Sequence, residues 1–94
     1  MDNIKRIHAI IHGRVQGVFF RAFVAQKARE LNIKGFVRNL PSGVDVEVAA
    51  EGEIKQLEKL IEFLKTGPPG ARVEKVEIKW MDNPQKFPGF EIKL

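Results

Sequence analysis

Two glycines and two arginines fall within one nine-residue segment, whose sequence is GRVQGVFFR at positions 13–21. The segment separates a stretch with strand periodicity from a stretch with helical periodicity. Glycine permits a tight turn and close approach of the backbone to a ligand. Backbone N–H groups at such a turn can converge on an anion, and guanidinium groups match phosphate oxygens. The segment therefore predicts a small phosphate-binding loop, bracketed by Arg14 and Arg21.

Arg21 is the first candidate for a functional side chain. It falls in the first turn of the predicted helix, off the apolar stripe, so it should project at the rim of the loop. A lone arginine is ordinarily a solvated surface residue. Here, however, an exposed cation at a helix N-terminus is unfavourable by about 0.3–1 kcal/mol. That cost is removed when an anion lies between the two, so we interpret Arg21 as an anion ligand.

Asn39 is the second candidate, because it ends the second predicted strand just before a Pro-Ser-Gly turn. Asparagine is common in turns for purely structural reasons, since its side chain bonds the nearby backbone. That interpretation stays open from the residue alone. If the fold brings the end of this strand beside the loop, the amide can both donate and accept. It could then hold a water molecule in line with a phosphoryl group.

The elements that position these residues follow from the spacing of apolar side chains. Alternation predicts strands, and helical spacing predicts two amphipathic helices; in chain order the segments are 7–11 (strand), 20–31 (helix), 35–38 and 44–50 (strands), 54–64 (helix), 73–80 and 90–94 (strands). The order βαββαβ plus a short terminal strand predicts one domain over residues 1–94. Its class is α+β, a ferredoxin-like two-layer sandwich with an antiparallel sheet and two helices on one face. Val73 is out of phase and predicts a bulge, while Trp80 and the phenylalanines are expected mostly in the core.

Composition narrows the class of protein. The 94 residues include 16 Lys and Arg against 12 Asp and Glu, for a formal charge of +4, and no cysteine. Disulfides and thiolate metal sites are thereby excluded. No apolar run approaches the roughly 20 residues that span a bilayer, and no signal peptide is recognised, so we expect a cytoplasmic protein without a membrane partner. The positive charge favours an acidic partner, either a small anion or a nucleic acid.

Other catalytic arrangements are not suggested. His8 and His12 alternate on one strand face without a neighbouring ligand set in sequence, so we interpret them as polar positions on the uncovered sheet face and predict no metal site. The chain has neither the phosphate-binding lysine loop of nucleotide triphosphatases nor a Ser/His/Asp arrangement for covalent catalysis.

Taken together, these motifs resemble the acylphosphatase family, whose members hydrolyse carboxyl-phosphate anhydrides. Residues 13–21 are similar to the first signature of the family, and GFVRN at 35–39 followed by Gly43 is similar to the second. The segment GPP at 67–69 and the ending GFEI at 89–92 resemble later landmarks, so the resemblance covers almost the whole chain in order. The chain differs from the family at the hairpin between the strands at 35–38 and 44–50, where Ser-Gly is followed by Val-Asp before Val46 and Glu47.

The resemblance implies roles for particular residues. Arg21 would bind the substrate phosphate and Asn39 would orient the nucleophilic water. The phosphate would also be held by backbone N–H groups of the loop, namely those of Arg14, Val15, Gln16, Gly17 and Val18. The resemblance implies no metal, no cofactor and no phosphoenzyme; the substrate would be a small acyl phosphate, and we expect a monomer. The carboxylate leaving group needs little protonation, so positioning and electrostatic stabilisation can suffice. No residue that binds the acyl group can be identified from the sequence.

Two other functions match parts of the sequence. A ferredoxin-like fold with positive charge also suggests an RNA-binding domain, and KGFV at 34–37 resembles the start of an RNP1 motif. The rest of that motif is missing, and the open sheet face is expected to carry acidic residues without an aromatic platform, so we predict no nucleic-acid partner; those acidic residues are Asp45, Glu47, Glu77 and Glu91. The other alternative is a catalytically silent anion-binding domain, which loss of Arg21 or Asn39 would indicate, and both are present.

Overall fold

A computed structural model of the chain describes residues 4–94, which form one five-stranded sheet and two α-helices. In chain order the elements are β1 (Ile4–Arg14), α1 (Phe20–Glu30), β2 (Lys34–Asn39), β3 (Val46–Glu53), α2 (Ile54–Thr66), β4 (Arg72–Met81) and β5 (Phe90–Lys93). The strands lie in the order β4-β1-β3-β2-β5. Helix α1 packs on β2 and β5, and α2 packs on β1, β3 and β4. The predicted ferredoxin-like α+β sandwich is thus confirmed.

The sheet is mixed, so the prediction of a wholly antiparallel sheet is wrong for its last strand. Strand β1 pairs antiparallel with β3 and β4, and β2 pairs antiparallel with β3, but β5 pairs parallel with β2. These directions bring the end of β4 to the end of the sheet where β2 begins. The connection at residues 82–89 crosses that end to the other edge, so β5 starts beside the start of β2 and runs with it.

The core lies between the sheet and the helices, as the alternation predicts. Ile7, Ala9 and Ile11 of β1 are fully buried, and the apolar stripes of both helices are buried against them. Between β2 and β3 the backbones approach so closely that only glycine fits. Gly35 has φ +144°, and a Cβ on it would lie 1.8 Å from the carbonyl oxygen of Ala49. No helix within residues 4–94 is both long and apolar enough to cross a membrane.

The bulge predicted near Val73 is confirmed, because the β1–β4 register shifts there and leaves Glu74 without a partner in β1. The expectation for the aromatic residues is correct only in part. Phe20 and Phe90 are buried, but Trp80, near the end of edge strand β4, is 44% exposed and Phe19 is 85% exposed.

The uncovered sheet face also differs from expectation, because it carries aromatic side chains. Phe36 is paired with Ala49 and so shares the face opposite the helices. Its ring meets that of Phe87 edge to face with centroids 6.1 Å apart, and the Lys93 ammonium lies 4.2 Å from the Phe36 centroid. The sequence predicts no aromatic platform for stacking here, and the structure places on this face an aromatic pair in which one ring meets the other edge to face. Sequence alone did not show that the connection before β5 would fold back over it.

Glu51 is the only buried charged side chain among residues 4–94, at 6% exposure. Its carboxylate accepts three backbone hydrogen bonds from the connection that crosses the sheet end. Oε1 accepts from Gln85 and Lys86 at 2.8 and 3.2 Å, and Oε2 accepts from Phe87 at 3.0 Å. Hydrogen bonds to an ionised group are the stronger kind. Glu51 thus fixes the path of the chain into β5.

Candidate active site

A cleft of about 320 Å³ opens where the loop after β1 meets the ends of β2 and β5. The residues that line it come from the loop after β1, the start of α1, β2 and β5: Val15, Gly17, Phe19, Phe20, Arg21, Ala22, Asn39 and Ile92. Val15 and Phe20 are buried and form its floor. Arg21 and Asn39 are its two polar side chains. The two candidates identified from the sequence therefore line one cleft, although they lie on different elements.

The loop that forms one wall has the geometry of an anion site. Gly17 has φ +75° and Phe19 has φ +61°, so left-handed residues alternate with ordinary ones. Such alternation turns successive N–H groups toward one concavity. Within residues 4–94, the backbone N–H groups of Gln16, Gly17 and Phe19 donate no hydrogen bond. The amides of this loop are thus free to bind an anion.

Helix α1 adds to this positive environment. Its N-cap residue, Phe19, makes no side-chain capping hydrogen bond, and its first turn contains no acidic residue. The first N–H groups of a helix have no partner within the helix, and the helix dipole places partial positive charge there. Serine, threonine, asparagine or aspartate ordinarily caps this end. In this chain the first N–H groups of α1 face the end of the loop that lines the cleft.

Arg21 is held in place by the last strand. Its Nη1 donates a hydrogen bond to the carbonyl oxygen of Lys93 at 3.0 Å. A guanidinium group has five N–H donors in a fixed plane. One contact with β5 therefore orients the group while the remaining donors stay available to a ligand. Sequence reasoning found Arg21 but not this contact, because Lys93 lies 72 residues farther along the chain.

Asn39 is the last residue of β2 and pairs with Val46 of β3. Its Oδ1 is buried and has no hydrogen-bond partner within residues 4–94. An unsatisfied buried acceptor costs about 1–3 kcal/mol, and such groups are few in native proteins. Within residues 4–94 this oxygen is the only buried side-chain polar atom that lacks a hydrogen-bond partner. A donor brought into the cleft by a ligand would therefore stabilise it.

Gln16 joins the loop to the hairpin that carries Asn39. Its Nε2 donates to the carbonyl oxygens of Leu40 and Asp45 at 3.1 and 2.8 Å. The hairpin neck is closed by Leu40 N–H, which donates to the same Asp45 oxygen at 2.9 Å. Sequence reasoning missed this side chain, because its partners lie 24 and 29 residues away. The only indication in the sequence was the glutamine itself, within the segment at 13–21.

The remaining loop residues named from the sequence lie beside the cleft and do not line it. Arg14 is exposed at the end of β1, pairs with Arg72 and borders a different depression with Asp45 and Glu74. The Gln16 side chain turns to the hairpin, and Val18 is half-buried near Gly70. The cleft itself receives Val15, Gly17, Arg21 and Asn39 from the predicted set.

The two histidines lie on the open face, where each has a carboxylate partner. His8 Nε2 is 2.6 Å from Glu47 Oε2, and Arg38 binds the other oxygen of Glu47. Burial alone would raise the pKa of Glu47, but hydrogen bonds from His8 and Arg38 outweigh it and hold this pKa below its usual value. His12 Nε2 lies 2.5 Å from Glu77.

These pairs are not arranged as a metal site. Within the range that the structure describes, 4–94, no group of three or more His, Cys, Asp or Glu side chains is placed to hold a metal ion. The open-face pairs lie outside the cleft, whose lining includes no titratable side chain except Arg21. They are therefore treated as part of the sheet surface.

Known proteins resemble this chain over nearly its whole length. The family model for acylphosphatase matches residues 7–92. An acylphosphatase of Pyrobaculum islandicum is 45% identical over 92 residues, which cover 98% of this chain and 96% of the relative. The solved acylphosphatase from Coxiella burnetii has a TM-score of 0.91 at 41% identity, with 97% of this chain and 94% of that chain covered.

A second solved structure agrees. The acylphosphatase from Bacillus subtilis has a TM-score of 0.92 at 32% identity, with 96% of this chain and 99% of that one covered. The match in fold therefore holds for whole chains and not for a shared fragment. Together with the motifs and the cleft, these similarities show that the chain belongs to the acylphosphatase family.

Proposed function

We propose that the cleft is the site at which this chain, an enzyme of the acylphosphatase family, hydrolyses acyl phosphates without a metal ion. The phosphoryl group is held by loop N–H groups and Arg21, and Asn39 positions the attacking water. One observation carries this assignment. Arg21 and Asn39, chosen separately from the sequence, line the same cleft as a loop with unpaired amides.

Phosphate binding in this proposal uses two kinds of donor. The N–H groups from residue 14 to residue 18 supply neutral donors fixed by the backbone, and Arg21 supplies a charge whose plane is set by Lys93 O. Both are in place before substrate arrives, so neither must reorganise as charge develops on the phosphoryl oxygens. Preorganised donors of this kind are each worth about 10²–10³ in kcat.

The attacking water is held by the Asn39 amide. A water molecule that donates to Oδ1 satisfies that buried acceptor and turns a lone pair toward phosphorus. As its oxygen bonds to phosphorus, the bond from phosphorus to the acyl oxygen breaks and a carboxylate departs. One proton of the water passes to an oxygen of the phosphoryl group, so the products are a carboxylate and inorganic phosphate. Because a carboxylate is a good leaving group, no general acid is needed in the cleft.

The proposal also includes the state and place of the protein. We propose that it acts as a monomer, since the loop after β1, Arg21 and Asn39 line the cleft together without a residue from a second copy. We also propose that it acts in the cytoplasm. Sedimentation equilibrium at micromolar concentration tests the first point, and a molecular mass equal to two chains would contradict it. Localisation of the tagged full-length chain in cells tests the second.

Hydrolysis of benzoyl phosphate by the purified protein with EDTA present tests the assignment. Arg21→Ala should raise KM and the inhibition constant of inorganic phosphate as well as lower kcat, whereas Asn39→Ala should act mainly on kcat. Each should lose about 10²-fold or more in kcat/KM. Arg72→Ala and Asn83→Ala, at exposed positions outside the cleft, serve as matched controls.

Two outcomes would contradict this proposal. If Asn39→Ala kept near-normal turnover, its water-positioning role would be wrong. If the folded wild-type protein bound phosphate without hydrolysing benzoyl phosphate, the cleft would belong to a silent anion-binding domain instead.

A further inference from the structure

The rim of the cleft carries two large apolar side chains that face solvent. Phe19 is 85% exposed and Ile92 is 38% exposed. Single exposed apolar residues are normal on a protein surface. These two come from different segments, one from the loop before α1 and the other from β5, and both line the cleft. Ala22, also exposed, lies on the same rim. The rim thus forms one apolar surface.

Phe19 combines two unfavourable features. Its backbone is left-handed, with φ +61° and ψ +24°, a conformation that costs a bulky residue about 1–2 kcal/mol. Its ring makes little contact that could offset this cost, because it is 85% exposed. Glycine or asparagine would suit the backbone better. An exposed aromatic ring at this position is therefore explained best by a contact with part of the substrate.

The geometry of the cleft determines where the acyl half of a substrate lies. The polar side is formed by the loop amides, Arg21 and Asn39, which take the phosphoryl group in the function proposed above. The floor is closed by Val15 and Phe20, which are 0% and 1% exposed. An acyl group on the bound phosphate cannot extend inward through these side chains. It must leave along the rim, where Phe19 and Ile92 lie.

We propose that Phe19 and Ile92 bind the acyl group and make this enzyme select apolar acyl phosphates, aromatic ones above all. The proposal rests on the function assigned to the cleft. An aromatic acyl group can pack on the Phe19 ring in an offset or edge-to-face arrangement, and an apolar chain can pack on Ile92. An acetyl group offers much less apolar surface to either side chain.

The test compares two substrates that share the reacting bond. Benzoyl phosphate and acetyl phosphate differ only in the acyl group. The ratio of their kcat/KM values therefore depends on contacts between the rim and the acyl group, whereas effects on the phosphoryl site cancel in it. We expect the wild-type protein to favour benzoyl phosphate. Phe19→Asn, which keeps a residue suited to the left-handed backbone, should lower the ratio by about tenfold, equal to 1.4 kcal/mol. Ile92→Ala should lower it by a smaller factor.

Val44→Ala is the matched control. Val44 is 51% exposed and apolar but lies outside the cleft, so its removal should leave the ratio unchanged. If Phe19→Asn and Ile92→Ala leave the ratio unchanged while both substrates are hydrolysed, the acyl site is overturned and the assigned function stands. An equal loss for both substrates also overturns it, because the rim would then act only through the loop. If the folded wild-type protein hydrolyses neither substrate, both proposals fail.

Discussion

Replacement of Gln16 by alanine tests whether one side chain holds the two halves of the site together. The Nε2 of Gln16 bridges the phosphate loop to the carbonyl oxygens of Leu40 and Asp45. Asn39, whose amide positions the water in the proposed mechanism, immediately precedes Leu40 and so lies at the end of this bridge. We predict that Gln16→Ala lowers both the free energy of unfolding and kcat. Inorganic phosphate should bind about as well as before, because the loop amides are backbone groups.

The magnitude follows from the two hydrogen bonds, whose lengths are 3.1 and 2.8 Å. Both carbonyl groups keep a backbone partner after the change, since Gly43 N–H donates to Leu40 and Leu40 N–H donates to Asp45. No buried acceptor is orphaned, and the loss should be about 1–2 kcal/mol in the free energy of unfolding. If the same energy is what aligns Asn39, kcat falls by about 5- to 30-fold.

The assay pairs urea unfolding with steady-state hydrolysis of benzoyl phosphate. Gln26→Ala is the matched control, because this exposed glutamine on α1 reaches only Glu30, at 3.3 Å. Gln16→Glu keeps the shape but presents carboxylate oxygens to two carbonyl oxygens at neutral pH, so its kcat should fall at least as far as that of Gln16→Ala. The reasoning is refuted if Gln16→Ala loses the expected stability while kcat stays within twofold of the wild type.

Two further predictions concern stability. Burial would raise the pKa of Glu47, but hydrogen bonds from His8 and Arg38 lower this pKa in the folded state. The stabilisation that the carboxylate contributes is therefore complete above the unfolded pKa of about 4.3 and is lost as pH falls through the lower folded pKa. Glu47→Gln should flatten the acid limb of the free energy of unfolding plotted against pH, and an unchanged slope would contradict this. Gly35→Ala should destabilise the fold by about 3 kcal/mol or more, because the new Cβ would lie 1.8 Å from a backbone oxygen. Gly43→Ala, with φ +85° but nothing within 4 Å, should cost only the backbone strain of about 1 kcal/mol, and equal losses measured by urea unfolding would show that the close approach is not decisive.

Much of the fold follows from local sequence patterns. The alternation in β1, the apolar stripes of α1 and α2 and the bulge near Val73 are all in the structure. Local patterns suffice here because each reports which face of an element is buried. They do not report which strand pairs with which. For this reason the sequence predicts an antiparallel sheet for the terminal strand as well, whereas the crossing connection held by Glu51 makes this strand parallel to β2.

The same division holds for the site. The sequence by itself singled out the segment at 13–21 and the two polar candidates, Arg21 and Asn39, because residue type and motif spacing are local properties. Only the tertiary structure decided that they share a cleft, that Lys93 orients Arg21 and that Gln16 joins the loop to the hairpin. These contacts span 24 to 72 residues. Such contacts depend on how strands are ordered and how a connection crosses the sheet, which no periodicity within one element can express.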